Sequence, residues 1–200
     1  MLLLRGDFVI TISLCMIVKN EEDVIGRCLE SIRDVVEEII IVDTGSTDRT
    51  KEIAQGYGAK VYEFEWIDDF AAARNYSFSF ATMDYIMWLD ADDIITKEEK
   101  EKLIALKKTL SETVDIVMMQ YHTGFDENGR ATFTYHRERL LKRERGFLWQ
   151  GAIHEVITPA GEIFYADLAI EHRKLKAADP DRNIRIFEKM RENGVLFTPR

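Results

Sequence analysis

Three carboxylates, Asp90, Asp92 and Asp93, follow directly on the apolar run Tyr85, Ile86, Met87, Trp88, Leu89. Such a run reads as a buried strand that delivers its acids to the carboxyl edge of a sheet, where open α/β sheets bind ligands. Carboxylates crowded there repel one another unless a cation or a ligand's donors compensate them. Hard oxygen donors of this kind suit Mg²⁺ or Mn²⁺ bridging a substrate's phosphates. The plainer reading is that Asp92 or Asp93 caps the next helix. Two other strand ends carry candidate groups: Val18, Lys19, Asn20, Glu21 and Val42, Asp43, Thr44, Gly45, Ser46. In a parallel sheet all three ends share one edge, where Asp43 could accept hydrogen bonds from a base or ribose and Gly45 permits a sharp turn. The chain has no Gly-rich phosphate loop of the Walker or dinucleotide type, which weakens ATPase and dehydrogenase readings.

The elements that must position these groups follow from periodicity. Strands are expected over residues 8–18, 38–43, 60–66 and the apolar run within 85–93 that ends in the acids, alternating with helices. Val24, Ile25, Cys28, Leu29 and Ile32 recur at helical spacing as one apolar face. A second helix runs from near Thr47 to about Tyr57, with Gly58 as its stop. A third covers residues 68–81, with Asp68 or Asp69 at its amino end and the small Ala71, Ala72 and Ala73 inside it. Thr96, Lys97, Glu98 and Glu99 form a capping box that opens a charged surface helix.

Past residue 110 the pattern changes. Residues 114–121 are rich in strand formers, and Asn128-Gly129 is a type I′ hairpin signal. Residues 131–141, long, polar and aromatic, predict an antiparallel strand at a sheet margin. Pro159, Ala160 and Gly161 mark a turn, and residues 181–192 a final helix with Ile184, Phe187 and Met190 on one face. The expectation is one α/β domain over residues 1–200, with a nucleotide-binding half at 8–110 and an acceptor and catalytic half at 111–200. The apolar Val195, Leu196 and Phe197 would pack on the sheet or begin a contact with something outside this chain.

Composition bounds the partners. Two hundred residues, 46% hydrophobic and 32% charged, suffice for a core without disulfides. The net charge of −9 argues against nucleic acid or an anionic membrane as the main partner. Cys15 and Cys28 lack zinc or redox spacing and read as reduced, buried thiols of a cytoplasmic protein. The opening residues turn charged too quickly for a signal peptide, and no run is long enough to cross a membrane. Peripheral membrane attachment stays open.

Three strings together carry a resemblance: Ile17, Val18, Lys19, Asn20, Glu21, Glu22; Ile41, Val42, Asp43, Thr44, Gly45, Ser46, Thr47, Asp48; and Leu89, Asp90, Ala91, Asp92, Asp93. In order and spacing, over roughly residues 10–110, the chain resembles the family 2 glycosyltransferases with the GT-A fold. The resemblance implies a mostly parallel, Rossmann-like sheet flanked by helices, with an antiparallel acceptor-side half. It implies that Lys19, Asn20, Glu21 and Asp43 hold the nucleotide, usually uridine. Asp90 and Asp92 would be the Asp-x-Asp pair engaging the ribose and a diphosphate-bound Mg²⁺ or Mn²⁺. Arg74, with Asn75, matches an element near the nucleotide and the aspartates; its bland alternative is an exposed helical arginine.

In the later half the match is looser. Trp149 could stack on a sugar face, Gly151 could allow close approach, and Glu155 could serve as the base, with His154-Glu155 standing where an acidic pair is common. Some family members use a late histidine as a metal ligand, for which His154 and His172 are the candidates. The bland alternative for these residues is an internal polar contact; His122 and His136 read as structural or surface residues. The resulting expectation is metal-dependent transfer of a sugar, with inversion, from a nucleotide-diphosphate sugar such as a UDP-sugar. The acceptor, a saccharide, lipid or protein, is unspecified. The alternatives are a sugar nucleotidyltransferase, against which the glycine-free residues 16–22 argue, a non-catalytic sugar-nucleotide-binding domain, and a fragment of a larger enzyme.

Overall fold

Period-two alternation sorts the strand residues between two helical layers. In the computed structural model, which describes residues 9–175, 179, 181–192 and 194, strand β1 (Ile12–Val18) sends Ile12, Leu14, Met16 and Val18 into one core and Cys15 into another. The first core is completed by Ile25, Cys28, Leu29 and Ile32 of helix α1 (Ile25–Ile32), Ala54 of α2 (Thr50–Gly56) and Leu103 of α4 (Lys97–Thr109). The expected apolar face of α1 is therefore the one that packs. The second core gathers Ala71 and Phe78 of α3 (Phe70–Phe78) against Ile40, Ile86 and Trp88. Strands β2 (Glu38–Asp43), β3 (Lys60–Glu63) and β4 (Tyr85–Trp88) run parallel with β1 in the order β3-β2-β1-β4, so the ends of β1, β2 and β4 share an edge as expected.

Beyond β4 the same sheet continues through β7 (Ala131–Lys142), β6 (Ile116–Phe125), β10 (Ile163–His172) and the short β5 (Asp93–Ile94). Strand β7 is antiparallel to both β4 and β6 and so lies inside the eight-stranded sheet, not at its margin. Its inner half is buried, while residues 131–136 extend beyond β4, pair with β6 alone and are exposed, which accounts for the polar, aromatic composition that suggested an edge. A separate two-stranded ribbon, β8 (Trp149–Gln150) with β9 (Val156–Ile157), packs beside α3.

Several local expectations are corrected. The loop at Asn128-Gly129 is not a type I′ turn: Gly129 has φ +77° but Asn128 does not have positive φ, and Gly129 N–H donates to Asp126 O. That is a type I turn closed by a left-handed glycine. Asp69 caps α3, accepting from Ala72 N–H, and the helix ends at Phe78, short of residue 81. Thr96 caps α4 through Glu99 N–H, but the Glu99 carboxylate goes to Ala169 N–H, so the capping box is half made. In α5 (Arg182–Glu192) the buried residue is Ile186, whereas Ile184 and Phe187 of the expected face are exposed. Residues 1–8, with the expected strand start at Phe8, and Val195, Leu196 and Phe197 lie outside the described residues. No helix among the described residues is long and apolar enough to cross a membrane.

Candidate active site

The loops after β1 and β2 are laced together by their own side chains. Asn20, in the left-handed region at φ +55°, accepts from Thr47 N–H at 2.8 Å while its own N–H donates to Ser46 Oγ at 2.9 Å. Glu21 N–H donates to Thr50 Oγ1. Asp43 is buried at the end of β2, and its Oδ2 accepts from Gly45 and Ser46 N–H at 3.0 and 2.9 Å. Gly45, at φ +102°, makes that turn as expected. Asp43 Oδ1 is buried without a hydrogen-bond partner. Such an acceptor is unfavourable unless a ligand's donor reaches it.

At the end of β4 the three acids separate by environment. Asp90 accepts from Arg74 Nη2 at 2.8 Å. Burial pushes its carboxyl up, but Arg74 and Arg139 outweigh burial and hold it well below the usual carboxylate range. Asp92 is the least compensated: burial and the neighbouring Asp90 and Asp93 raise its pKa, against the opposing pull of His172. Burial pulls the His172 imidazole down, yet the surrounding aspartates raise it overall. Asp93 is wholly buried and ion-paired with the equally buried Arg139 at 3.1 Å. Neither Asp92 nor Asp93 caps α4, because Thr96 does. Asp92, Asp93 and His172 lie close enough together to surround one cation. Asp90, expected among the metal ligands, lines the cleft with its Oδ1 held by Arg74.

Arg74 is the joint between the two halves of the site. It is buried rather than an exposed helical arginine, with its guanidinium 4.9 Å from the ring centres of both Trp88 and Trp149. Its Nη2 holds Asp90 and its Nε holds Glu155 Oε1 at 2.7 Å. Glu155 is presented by the loop between β8 and β9, where Gly151 (φ +95°) and His154 (φ +53°) both take the left-handed conformation. Asn75 anchors that ribbon by pairing with both Trp149 N–H and Trp149 O, at 2.8 and 3.0 Å.

A cleft of about 1050 Å³ joins these parts. Lys19, Asn20 and Glu21 of the β1 loop line it together with Asp90, Asp92 and His172, and so do Arg74, His154 and Glu155. Two expected residues do not line it. Asp43 is buried beside the cleft-lining Thr44, and Trp149 is buried against Phe78 and Trp88. Trp149 is thus corrected from a sugar platform to a core residue that supports Arg74, because its indole has no exposed face to offer. Of the two candidate histidines, His172 lies beside Asp92 and Asp93, and His154 lines the same cleft. Sequence reasoning missed Phe133, Tyr135 and Arg137, which enter the cleft from β7, and Tyr121 and Arg139 beneath the acids. Alternation in residues 131–137 was a usable signal for the first three.

The strand order, the cleft at the parallel strands' carboxyl ends and the antiparallel half define a GT-A fold. TarS of S. aureus superposes with a TM-score of 0.61 at 15% identity, covering 90% of this chain and 64% of that one. Mannosyl-3-phosphoglycerate synthase of Rubrobacter xylanophilus gives 0.61 at 17%, covering 96% and 77%. Glucosyl-3-phosphoglycerate synthase of Mycobacterium tuberculosis, in complex with Mn²⁺, UDP and glucosyl-3-phosphoglycerate, gives 0.58 at 16%, covering 94% and 82%. At the level of sequence, the model of glycosyl transferase family 2 matches residues 13–165, and the chain belongs to that family. Glycosyltransferase SunS of Bacillus subtilis is 37% identical over 150 residues, 72% of this chain and 34% of its own length. A TPR repeat-containing protein of Synechococcus elongatus is 51% identical over 87 residues, 44% of this chain and 22% of its own. The chain thus spans about a third or less of the length of these two relatives.

Proposed function

We propose that the chain transfers a sugar, with inversion, from a nucleotide-diphosphate sugar, most simply a UDP-sugar, to an acceptor hydroxyl. The observation that carries this reading is the double ion pair of Arg74, which holds the acid-tipped strand end and Glu155 at the width of one guanidinium inside one cleft. Lys19, Asn20, Glu21 and Asp43 hold the nucleotide, with the unpartnered Asp43 Oδ1 taking a donor from the base or ribose. Asp90, already fixed by Arg74, faces the ribose. The fold neighbour bound to Mn²⁺ and UDP is consistent with this donor.

The residues fit a divalent cation, Mg²⁺ or Mn²⁺: Asp92 carries a poorly compensated charge and His172 a nitrogen donor, both facing the cleft. When bound, such an ion stabilises the negative charge that develops on the departing diphosphate. The protein's own contribution is to orient the donor, exclude water and accept a proton. As the acceptor oxygen bonds to the anomeric carbon and the bond to the diphosphate breaks, Glu155 takes the acceptor's hydroxyl proton. The exposed rings of Phe133 and Tyr135 border the cleft and replace Trp149 as the surfaces on which an acceptor or donor sugar can lie. The two buried free thiols support a cytoplasmic location.

Turnover of UDP-sugars in the presence of Mn²⁺, read as UDP release, tests the reading. Glu155→Gln should bind UDP as the wild type does and lose transfer by a factor of 100 or more, within the range of about 10²–10⁴ for a general base. Transfer surviving that change would remove Glu155 as the base. UDP binding with no turnover of any donor would favour a non-catalytic nucleotide-sugar-binding domain.

A further inference from the structure

The cleft carries cations that the protein does not itself neutralise. Of the lysines and arginines that line it, Arg74 is held by Asp90 and Glu155, and Arg137 by Glu138. Lys19, Lys174 and Arg182 line it too, and none of the three has a carboxylate partner among the described residues. They come from separate parts of the chain: the β1 loop, the segment after β10, and α5. One unpaired cation on open surface means little, because water solvates it. Three that share one cleft, in a chain of net charge −9, are a surplus that an anionic group satisfies. A divalent ion answers the poorly compensated Asp92, but it leaves these three bases unmatched.

Arg182 is held at the cleft by the way α5 docks. Ile186 is buried, and Lys189 pairs with Asp68 Oδ2 at 2.5 Å. Asp68, in the left-handed region at φ +59°, also accepts from Trp66 Nε1 at 2.9 Å. One carboxylate thus ties the helix to the loop between β3 and α3. The Arg182 guanidinium lies 4.8 Å from the centre of the Phe70 ring, and stacking of that kind leaves its N–H groups free to donate. Arg185, three residues on, differs in both respects: it pairs with Asp179, and it lines only an adjoining cavity of about 470 Å³. Lys19 and Arg182 line both spaces, so the cleft and this cavity meet between them.

We propose that Arg182 and Lys174, with Lys19, bind the donor's diphosphate, so that α5 is part of the donor site although it lies outside the residues 13–165 matched by the family model. The inference rests on the nucleotide-sugar reading above and deepens it. A nucleoside diphosphate carries more negative charge than one divalent ion cancels, and the arginine fork suits phosphate oxygens. The same cations stabilise the charge that grows on the diphosphate as it departs.

Calorimetric titration of UDP and of uridine, each with Mn²⁺, into the wild type, Arg182→Gln and Lys174→Gln tests this. Each variant should bind UDP about tenfold more weakly, the loss expected for one hydrogen bond between charged groups. Each should bind uridine as the wild type does, with melting curves confirming the fold. Unchanged UDP affinity in either variant would overturn the proposal. So would equal losses for UDP and uridine, which would show that the side chain supports the pocket, through Phe70 in the case of Arg182, and does not touch the phosphates. If the wild type binds no UDP, the nucleotide-diphosphate reading falls, and inorganic pyrophosphate decides the anion site by itself. Pyrophosphate binding that is weakened in Arg182→Gln would uphold the cation cluster; no binding, or equal binding in the two proteins, would overturn it.

Discussion

Asp90, Asp92 and Asp93 occupy one short loop and do three different things, because charge compensation reaches each from a different element. Arg74 of α3 holds Asp90, Arg139 of β7 holds Asp93, and Asp92 is left facing the cleft with a raised pKa. Removing Asp92 removes a repelled charge and one partly exposed contact with His172, at 3.3 Å. Asp92→Ala should therefore abolish Mn²⁺-dependent UDP binding and leave stability within about 0.5 kcal/mol, the range of substitutions that break no packed contact. Undiminished Mn²⁺-dependent affinity in that variant would contradict the assignment. The acids themselves are legible in the sequence, since three carboxylates crowded at the end of an apolar run need a counter-charge from somewhere. Their division of labour is not, because Arg139 lies 46 residues from Asp93 in sequence and meets it only through a bulge.

At the scale of elements, the parallel half is readable because each strand ends in a polar turn and each helix keeps one apolar stripe. Strand β2 and the face of α1 match their expectations residue by residue. The second half departs from expectation where tertiary context overrides local pattern: β7 looks like an edge strand yet is paired on both sides. Trp149 departs for a related reason. An aromatic residue beside a glycine suggests a sugar platform, but the ribbon of β8 and β9 turns its indole inward, and Asn75 fastens it there. Asn75→Ala would strand both polar groups of the Trp149 backbone. The expected loss is about 2 kcal/mol, a fall in Tm of roughly 4–8 °C for a domain of this size. Transfer should fall as Glu155 loosens, while UDP affinity holds. A variant with unaltered Tm and turnover would show that the ribbon does not depend on Asn75.

Across the whole molecule, the site edge of the sheet is left with partly compensated charge, while at the opposite edge a buried carboxylate is tied to an exposed lysine and to buried hydroxyl and backbone donors. There Glu38 is buried and accepts from Lys60, Ser13 and Thr82. Burial pushes its carboxyl up, but those hydrogen bonds outweigh it, and its pKa lies below the ordinary value of 4.5. A depressed carboxylate stabilises the fold above its unfolded pKa, and that contribution disappears as pH falls through the folded value. Between pH 6 and pH 3 the wild type should therefore lose more stability than Glu38→Gln, with the difference opening below about 4.5. Parallel melting curves for the two proteins would remove Glu38 as a source of acid sensitivity.

The central claim, that the cleft at the other edge is a cation-assisted site for a nucleotide diphosphate, is tested most directly by calorimetric titration of UDP into the chain with Mn²⁺ and then with EDTA. Binding with Mn²⁺ that is lost in EDTA is the predicted result. Binding of equal strength under both conditions would contradict the role of Asp92 and His172, and binding under neither would contradict the nucleotide-diphosphate site itself.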